Sequence, residues 1–324
     1  MSALRLLLLL VGSAVASSTL YAESPAGLKR VAILSQDTAR LSSFYDSLRS
    51  SFRELGYVEG KTIAFEYRVA AVTDDQLQAA AAQLVRLKVD LVFALGTPSA
   101  RAMSKATSTI PIVFAVADPV EGGLVSSLGR PGGNATGVAT LASETGTKRL
   151  ELLREVLPGA THIAVLANPD NPSTALQLAE LQSTARTFGL KLRILKVHGP
   201  ADLQETFTTI RNQHSDAFVT VSDAVLAGQL PTIAKLALKN RLPGIAGQRL
   251  FADSGGLMSY GPDYDELWRR CARYADRILK GAKPSDLPVE QAATFELVIN
   301  LKTAKTLGVA VPESFLLRAN EVIQ

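Results

Sequence analysis

The sequence predicts an α/β protein of two lobes, each a parallel sheet covered by helices, joined by a hinge that the chain crosses three times. Three observations carry this. Short apolar runs alternate with amphipathic stretches, the signature of repeated β-α-β units and hence of a parallel sheet with helices on both faces. The alternation stops near residue 129 and then restarts, so there are two series. The places where it stops are dense in glycine and proline, the residues that punctuate regular structure.

The first series starts with a buried strand over 31–34. Leu41, Phe44, Tyr45, Leu48, Phe52 and Leu55 then recur at helical spacing, and Gly56 closes that helix. A strand over 62–67, a helix marked by Leu77, Ala81 and Leu84, and a strand over 90–95 follow. A helix from Pro98 and a strand over 112–116 complete the series. Gly129-Arg130-Pro131-Gly132-Gly133-Asn134-Ala135-Thr136-Gly137 reads as a loop into a short crossing strand.

The second series has strands over 162–167, 191–197 and 217–221 and another near Ile245. A helix striped by Leu150, Leu153 and Leu157 precedes the first of them, and further helices lie between. Ser254-Gly255-Gly256 and the proline-rich 281–288 are the other two breaks, on either side of a helix striped by Tyr264, Leu267, Trp268, Cys271, Ala275 and Ile278. These breaks divide the chain into 30–140 plus 262–287 for the first lobe and 141–261 plus 288–324 for the second. A hinge of this kind permits closure around a ligand.

The first 22 residues stand outside the fold. Arg5 precedes an apolar run at 6–11, and small residues follow to Ala16 and Ala22, the layout of a secretory signal. The run is shorter than the roughly 20 residues a membrane-spanning helix needs. Cleavage at Ala22 is expected, with Ala14-Val15-Ala16 as the alternative. Cys271 is the only cysteine, so this sequence offers no lipid-anchoring cysteine after the signal and no internal disulfide.

Hydrophobic residues at 47% against 20% charged exclude a disordered chain. The net charge of +4 comes from scattered lysines and arginines, without the basic patch that nucleic-acid binding requires. His162, His198 and His214 have no metal-ligand spacing, so no metal or cofactor is expected. No nucleophile elbow or Walker loop is present, so no catalytic residue is assigned.

In open parallel sheets, ligands bind beyond the carboxyl ends of the strands. The residues there share a pattern: Gly96-Thr97-Pro98-Ser99, Asp118-Pro119, Asn168-Pro169-Asp170-Asn171-Pro172-Ser173 and Ser222-Asp223. Each reads as a helix start, with a polar residue capping free amides and proline at the first turn. The same amides and the positive end of the helix dipole suit a carboxylate, so several converging starts would form a polar cleft. Tyr260, beside a break, is a candidate aromatic wall. Trp268 and Cys271 read as core, and with aromatic residues at 6% no aromatic cage is evident.

The chain resembles the substrate-binding proteins of ABC transporters with the periplasmic binding protein type I fold, in particular the group that includes tryptophan- and tyrosine-binding proteins. The resemblance is carried by Gly96-Thr97-Pro98-Ser99-Ala100, Ala117-Asp118-Pro119-Val120, Gly123-Leu124-Val125 and the segment from Arg130 through Gly137-Val138. Phe295-Glu296-Leu297-Val298-Ile299-Asn300 and Leu307-Gly308-Val309-Ala310-Val311-Pro312 complete it.

What the resemblance implies is a monomeric, non-enzymatic periplasmic receptor with two Rossmann-like lobes and three crossovers. It would hold an amino-acid-sized ligand and deliver it to a membrane permease. Thr97 and Ser99 would meet the ligand from the first lobe with Asp118 nearby, and Asn168, Asn171 and Asp223 from the second; Ser35 and Gly96, at strand ends, are further ligand-binding candidates, although the loop at Ser35 matches the family weakly. Asp and Asn side chains would take an ammonium or hydroxyls, and helix amides with Thr97 or Ser99 a carboxylate. A ligand sensor signalling to a membrane receptor and an exported α/β enzyme are the alternatives.

Overall fold

The structure, a computed structural model, describes residues 27–36, 41–69 and 73–324. The segment expected to be a secretory signal lies outside the described residues.

The first sheet contains β1 (Lys29–Ser35), β2 (Ile63–Val69), β3 (Leu91–Leu95), β4 (Ile112–Val116) and β5 (Ala135–Ala139). The second contains β6 (His162–Ala167), β7 (Lys191–Lys196), β8 (Ala217–Thr220), β9 (Gly244–Ala246) and β10 (Met258–Pro262). A short β11 (Glu290–Gln291) returns to the first sheet, and β12 (Phe295–Asn300) and β13 (Glu321–Ile323) finish the second.

Strand order is β11-β5-β4-β3-β1-β2 in one sheet and β13-β12-β10-β9-β8-β6-β7 in the other. Every pairing is parallel except β10 with β12. The first five strands of each series therefore take the same order.

Strand composition follows position. β4 (Ile-Val-Phe-Ala-Val) is central and buried throughout, because helices cover both faces of its sheet. β7 (Lys-Leu-Arg-Ile-Leu-Lys) is an edge strand whose charged residues keep one face in water. β5 lies flush against β4 because Gly137, at φ +152°, has no side chain; a Cβ there would overlap the Phe114 backbone.

The helices are α1 (Leu41–Glu54), α2 (Asp74–Arg86) and α3 (Thr97–Ala106) in the first lobe, and α4 (Ala142–Val156), α5 (Thr174–Phe188), α6 (Leu203–Asn212), α7 (Ala224–Gly228), α8 (Leu230–Lys239) and α9 (Arg249–Asp253) in the second. The next helix, α10 (Tyr264–Leu279), follows β10 of the second sheet but packs on α1, β4 and β5 of the first. The last two, α11 (Leu301–Leu307) and α12 (Glu313–Leu316), belong to the second lobe with β12 and β13.

Leu267, Cys271, Ala275 and Ile278 of α10 join Val31, Phe93 and Val113 in one core layer, while α2 and α3 cover the opposite face of that sheet. The stripe read from sequence is a core stripe, and Cys271 is buried in it.

The chain passes between the lobes after β5, after β10 and after β11. The last passage corrects the expected boundary at 287. Glu290 and Gln291 pair with Val138 and Ala139, and Tyr274 of α10 donates to the Pro288 carbonyl, so the first lobe extends to about residue 292. Another correction concerns Asp118-Pro119. No helix starts there: the segment curls into a turn, with the Gly122 amide bonding the Asp118 carbonyl at 2.8 Å and Gly123 at φ +67° ending any helical path.

Candidate ligand-binding cleft

The order β2-β1-β3 reverses direction at β1, and β7-β6-β8 does so at β6. At such switch points the loops leave in opposite directions and open a crevice at the carboxyl end of the sheet. Both crevices face one cavity of about 460 Å³ between the lobes. This lies within the ~300–1,000 Å³ usual for small-ligand sites.

From the first lobe come Ser35 at the end of β1 and Gly96 and Thr97 at the start of α3. Gly96 is the N-cap at φ +84°, no side chain caps the helix, and Pro98 occupies its first turn. The opening amides of α3 are thus left to water or to a ligand. A Cβ placed on Gly96 would lie 3.5 Å from Ala224 Cβ, so the two lobes nearly touch at this point.

From the second lobe come Asn171, Ser173, Ser222 and Asp223. Asp223 caps α7 and accepts from the Leu226 amide at 2.9 Å. It also accepts from Asn168 Nδ2 at 3.2 Å and Asn171 Nδ2 at 2.9 Å. Those amides are aimed by their own oxygens: Asn168 Oδ1 accepts from the Asp170 amide and Asn171 Oδ1 from the Ser173 amide. The proline-spaced loop therefore builds a donor cradle around one carboxylate. Burial nevertheless holds the Asp223 carboxyl above the usual carboxylate range, and a cation placed against it would favour the ionised form.

The wall above is aromatic. Tyr264 and Trp268 of α10 line the cavity with ring centroids 5.7 Å apart, on a helix capped by Asp263. At the rim, Arg249 pairs with Asp253 at 3.1 Å and Glu321 at 2.9 Å and reaches Glu296 at 3.7 Å. Among the described residues, no group of three or more His, Cys, Asp or Glu side chains is placed to hold a metal ion.

Of the residues singled out from sequence, Ser35, Gly96, Thr97, Asn171 and Asp223 are brought together around the cavity. Asn168 is buried behind it and acts on Asp223. Ser99 is fully buried in α3, its hydroxyl without a partner. Tyr260 does not line the cavity: its ring stacks on Phe295, 6.1 Å away, within the second lobe. Asp118 belongs to a separate hollow with Glu121 and Glu144. Burial first, then Glu144, lifts its carboxyl to about 6, while the Ser143 hydroxyl donates to it at 3.3 Å.

Tyr264 and Trp268 are functional candidates that periodicity assigned to the core. Trp268 does pack with the core, yet it also faces the cavity, because the first turns of α10 overhang the cleft. The available signal was an i, i+4 aromatic pair directly after a crossing. Arg149 is the other omission: the largest fully buried side chain lies beneath the cleft floor.

Comparison with known proteins agrees with this architecture. Residues 31–323 match the ABC transporter substrate binding protein family. A tyrosine-binding protein of Clostridioides difficile is 31% identical over 79% of this chain and 74% of its own. A conserved domain protein from Vibrio cholerae superposes with a TM-score of 0.84 at 32% identity, covering 92% of this chain and 100% of that one.

A Streptococcus pneumoniae ABC domain in complex with L-Trp gives 0.83 at 27% identity, covering 91% and 99%. The ligand-free, open structure of a Clostridium difficile substrate-binding protein gives 0.64 at 26% identity, with the same coverage of 91% and 99%. With two lobes, three crossings and a cleft at both switch points, the chain belongs to the ABC transporter substrate-binding protein family.

Proposed function

We propose that the chain is the extracytoplasmic solute receptor of an ABC importer, that as a monomer it captures an aromatic amino acid between its lobes, and that it presents the closed form to a membrane permease. One observation carries the ligand class. Asp223 in its amide cradle and the uncapped start of α3 line one cavity from the two lobes, with Gly96 against Ala224, a cation site beside an anion site. An α-amino acid carries those two charges on one carbon.

The Tyr264–Trp268 wall suits an aromatic side chain. The ligands named for the tyrosine-binding relative and for the L-Trp complex point the same way. Near-equal identity to both comparison structures, with the higher TM-score to the ligand-bound one, supports a closed arrangement here. Micromolar capture corresponds to roughly −8 kcal/mol, within reach of a few buried hydrogen bonds and one stacked ring.

Native mass spectrometry of the purified protein, followed by calorimetry against the common amino acids, tests the proposal. Retention or saturable binding of tyrosine or tryptophan is expected. Binding of a sugar or nucleoside instead, with no amino acid bound, would sink it.

A further inference from the structure

Arg149 of α4 is fully buried on the second-lobe side of the cleft. It donates from Nη1 to the Tyr260 carbonyl at 3.2 Å and from Nη2 to Ser222 Oγ at 3.3 Å, and Nε has no partner. Among the described residues no carboxylate forms an ion pair with it; the groups that act on its charge are Tyr264 and Tyr260. Burial pulls the guanidinium down to about 10, still charged at neutral pH.

A buried charge without a counter-ion costs several kcal/mol, so its retention calls for a compensating anion. The chain makes room for it deliberately. Gly247, at the end of β9, has no side chain where a Cβ would stand 2.9 Å from Arg149 Nη1 and 3.4 Å from Ser222 Oγ.

Ser222 connects this charge to the cleft. It lines the cavity, its backbone is held on both sides by Gln177, and it is next to Asp223. Because Ser222 Oγ accepts from the guanidinium, its own proton is left to donate, and the cation strengthens that donor. The start of α3 approaches from the other lobe, with Gly96 against Ala224.

We propose that Arg149 is a positioning residue that makes the cleft select a carboxylate, acting through the Ser222 hydroxyl on an anion clamped from the opposite lobe by the start of α3. This rests on the amino-acid reading above and deepens it. Asp223 reads the ammonium, and the adjacent Ser222, backed by Arg149, reads the carboxylate from the same lobe.

Calorimetry with L-tyrosine and L-tryptophan against L-tyrosinamide and L-tryptophanamide tests this in the wild type, Ser222→Ala and Arg149→Met. The amides keep the ammonium and the ring but lose the negative charge. The wild type is expected to favour the acids by about a hundredfold. In Ser222→Ala the acid-to-amide ratio drops by about tenfold, the share of one hydrogen bond to a charged group.

Arg149→Met is expected to lose most of the remaining preference. If it fails to fold, Ser222→Ala, which leaves the arginine in place, decides alone. A wild type that binds acid and amide equally, or variants that weaken both equally, would overturn the role of Arg149 while leaving the amino-acid reading intact. A wild type that binds neither acid overturns both.

Discussion

The two lobes share a strand order yet equip the cleft differently. The first lobe offers the opening amides of α3, the hydroxyls of Ser35, Thr97 and Thr140 and the Tyr264–Trp268 wall, and its charged lining residues, Asp263, Asp265 and Arg269, all lie at the start of α10. The second offers buried charge: Asp223 within its carboxamide cradle, and Arg149 behind Ser222. If the proposed ligand is an aromatic amino acid, closure would depend on it, because neither half alone would satisfy both its polar groups and its ring.

The sharpest way to break this comparison is Asp223→Ala. It removes the ammonium partner and strands the Asn168 and Asn171 amides, so binding is expected to weaken by more than about a hundredfold, about 3 kcal/mol. The pH dependence has a defined sign. The Asp223 carboxyl stands above its ordinary value in the free protein, and a bound ammonium favours its ionised form. Affinity measured by calorimetry should therefore fall as pH is lowered, beginning above the usual carboxylate range; a flat profile would remove Asp223 from the site.

Next is Trp268→Leu, expected to cost aromatic ligands about tenfold, in line with ~1.5 kcal/mol for a lost ring pair. An aliphatic amino acid measured in the same variant should lose less. Gly96→Ala follows: at φ +84° and ψ 153° the backbone sits in a region essentially reserved for glycine, so an alanine is strained by about 1–3 kcal/mol, and its methyl would stand beside Ala224. Thermal melting should fall by that strain, while ligand affinity falls little, because the methyl meets Ala224 at an ordinary van der Waals distance of 3.5 Å.

The smallest effect lies outside the cleft. Asp118 titrates near 6 in the fold and near 3.8 unfolded, so the folded chain holds its proton more tightly. Stability is therefore lost as pH rises from about 4 to 6. Asp118→Asn should remove that slope and stabilise the neutral protein by about 1 kcal/mol after solvent screening. Melting curves across this pH window check it.

Much of the fold was legible because its signals are local. The central strands are uninterrupted apolar runs, and the Gly/Pro-dense segments do lie at or beside crossings. The cleft was legible where a strand end met a polar turn, as at Gly96-Thr97 and Ser222-Asp223.

What was not legible depends on three-dimensional placement. Asp118-Pro119 has the sequence of a helix start, but Gly122 and Gly123 divert it into a turn. Tyr260 alternates into the second-lobe core rather than toward the cleft. An arginine on a helix reads as exposed, and only the glycine opposite, Gly247, reveals that Arg149 turns inward. The third crossing fell later than expected because two residues of β11, too few for any periodicity, pair with the first sheet.

The central claim, a ligand held between the lobes against α10, has a direct reporter. Trp268 is the only tryptophan in the chain, and it lines the cavity. Titration with L-tyrosine, exciting tryptophan selectively, should shift its emission along a saturable curve that matches the calorimetric one. Calorimetric binding that leaves the Trp268 emission unchanged would contradict the account.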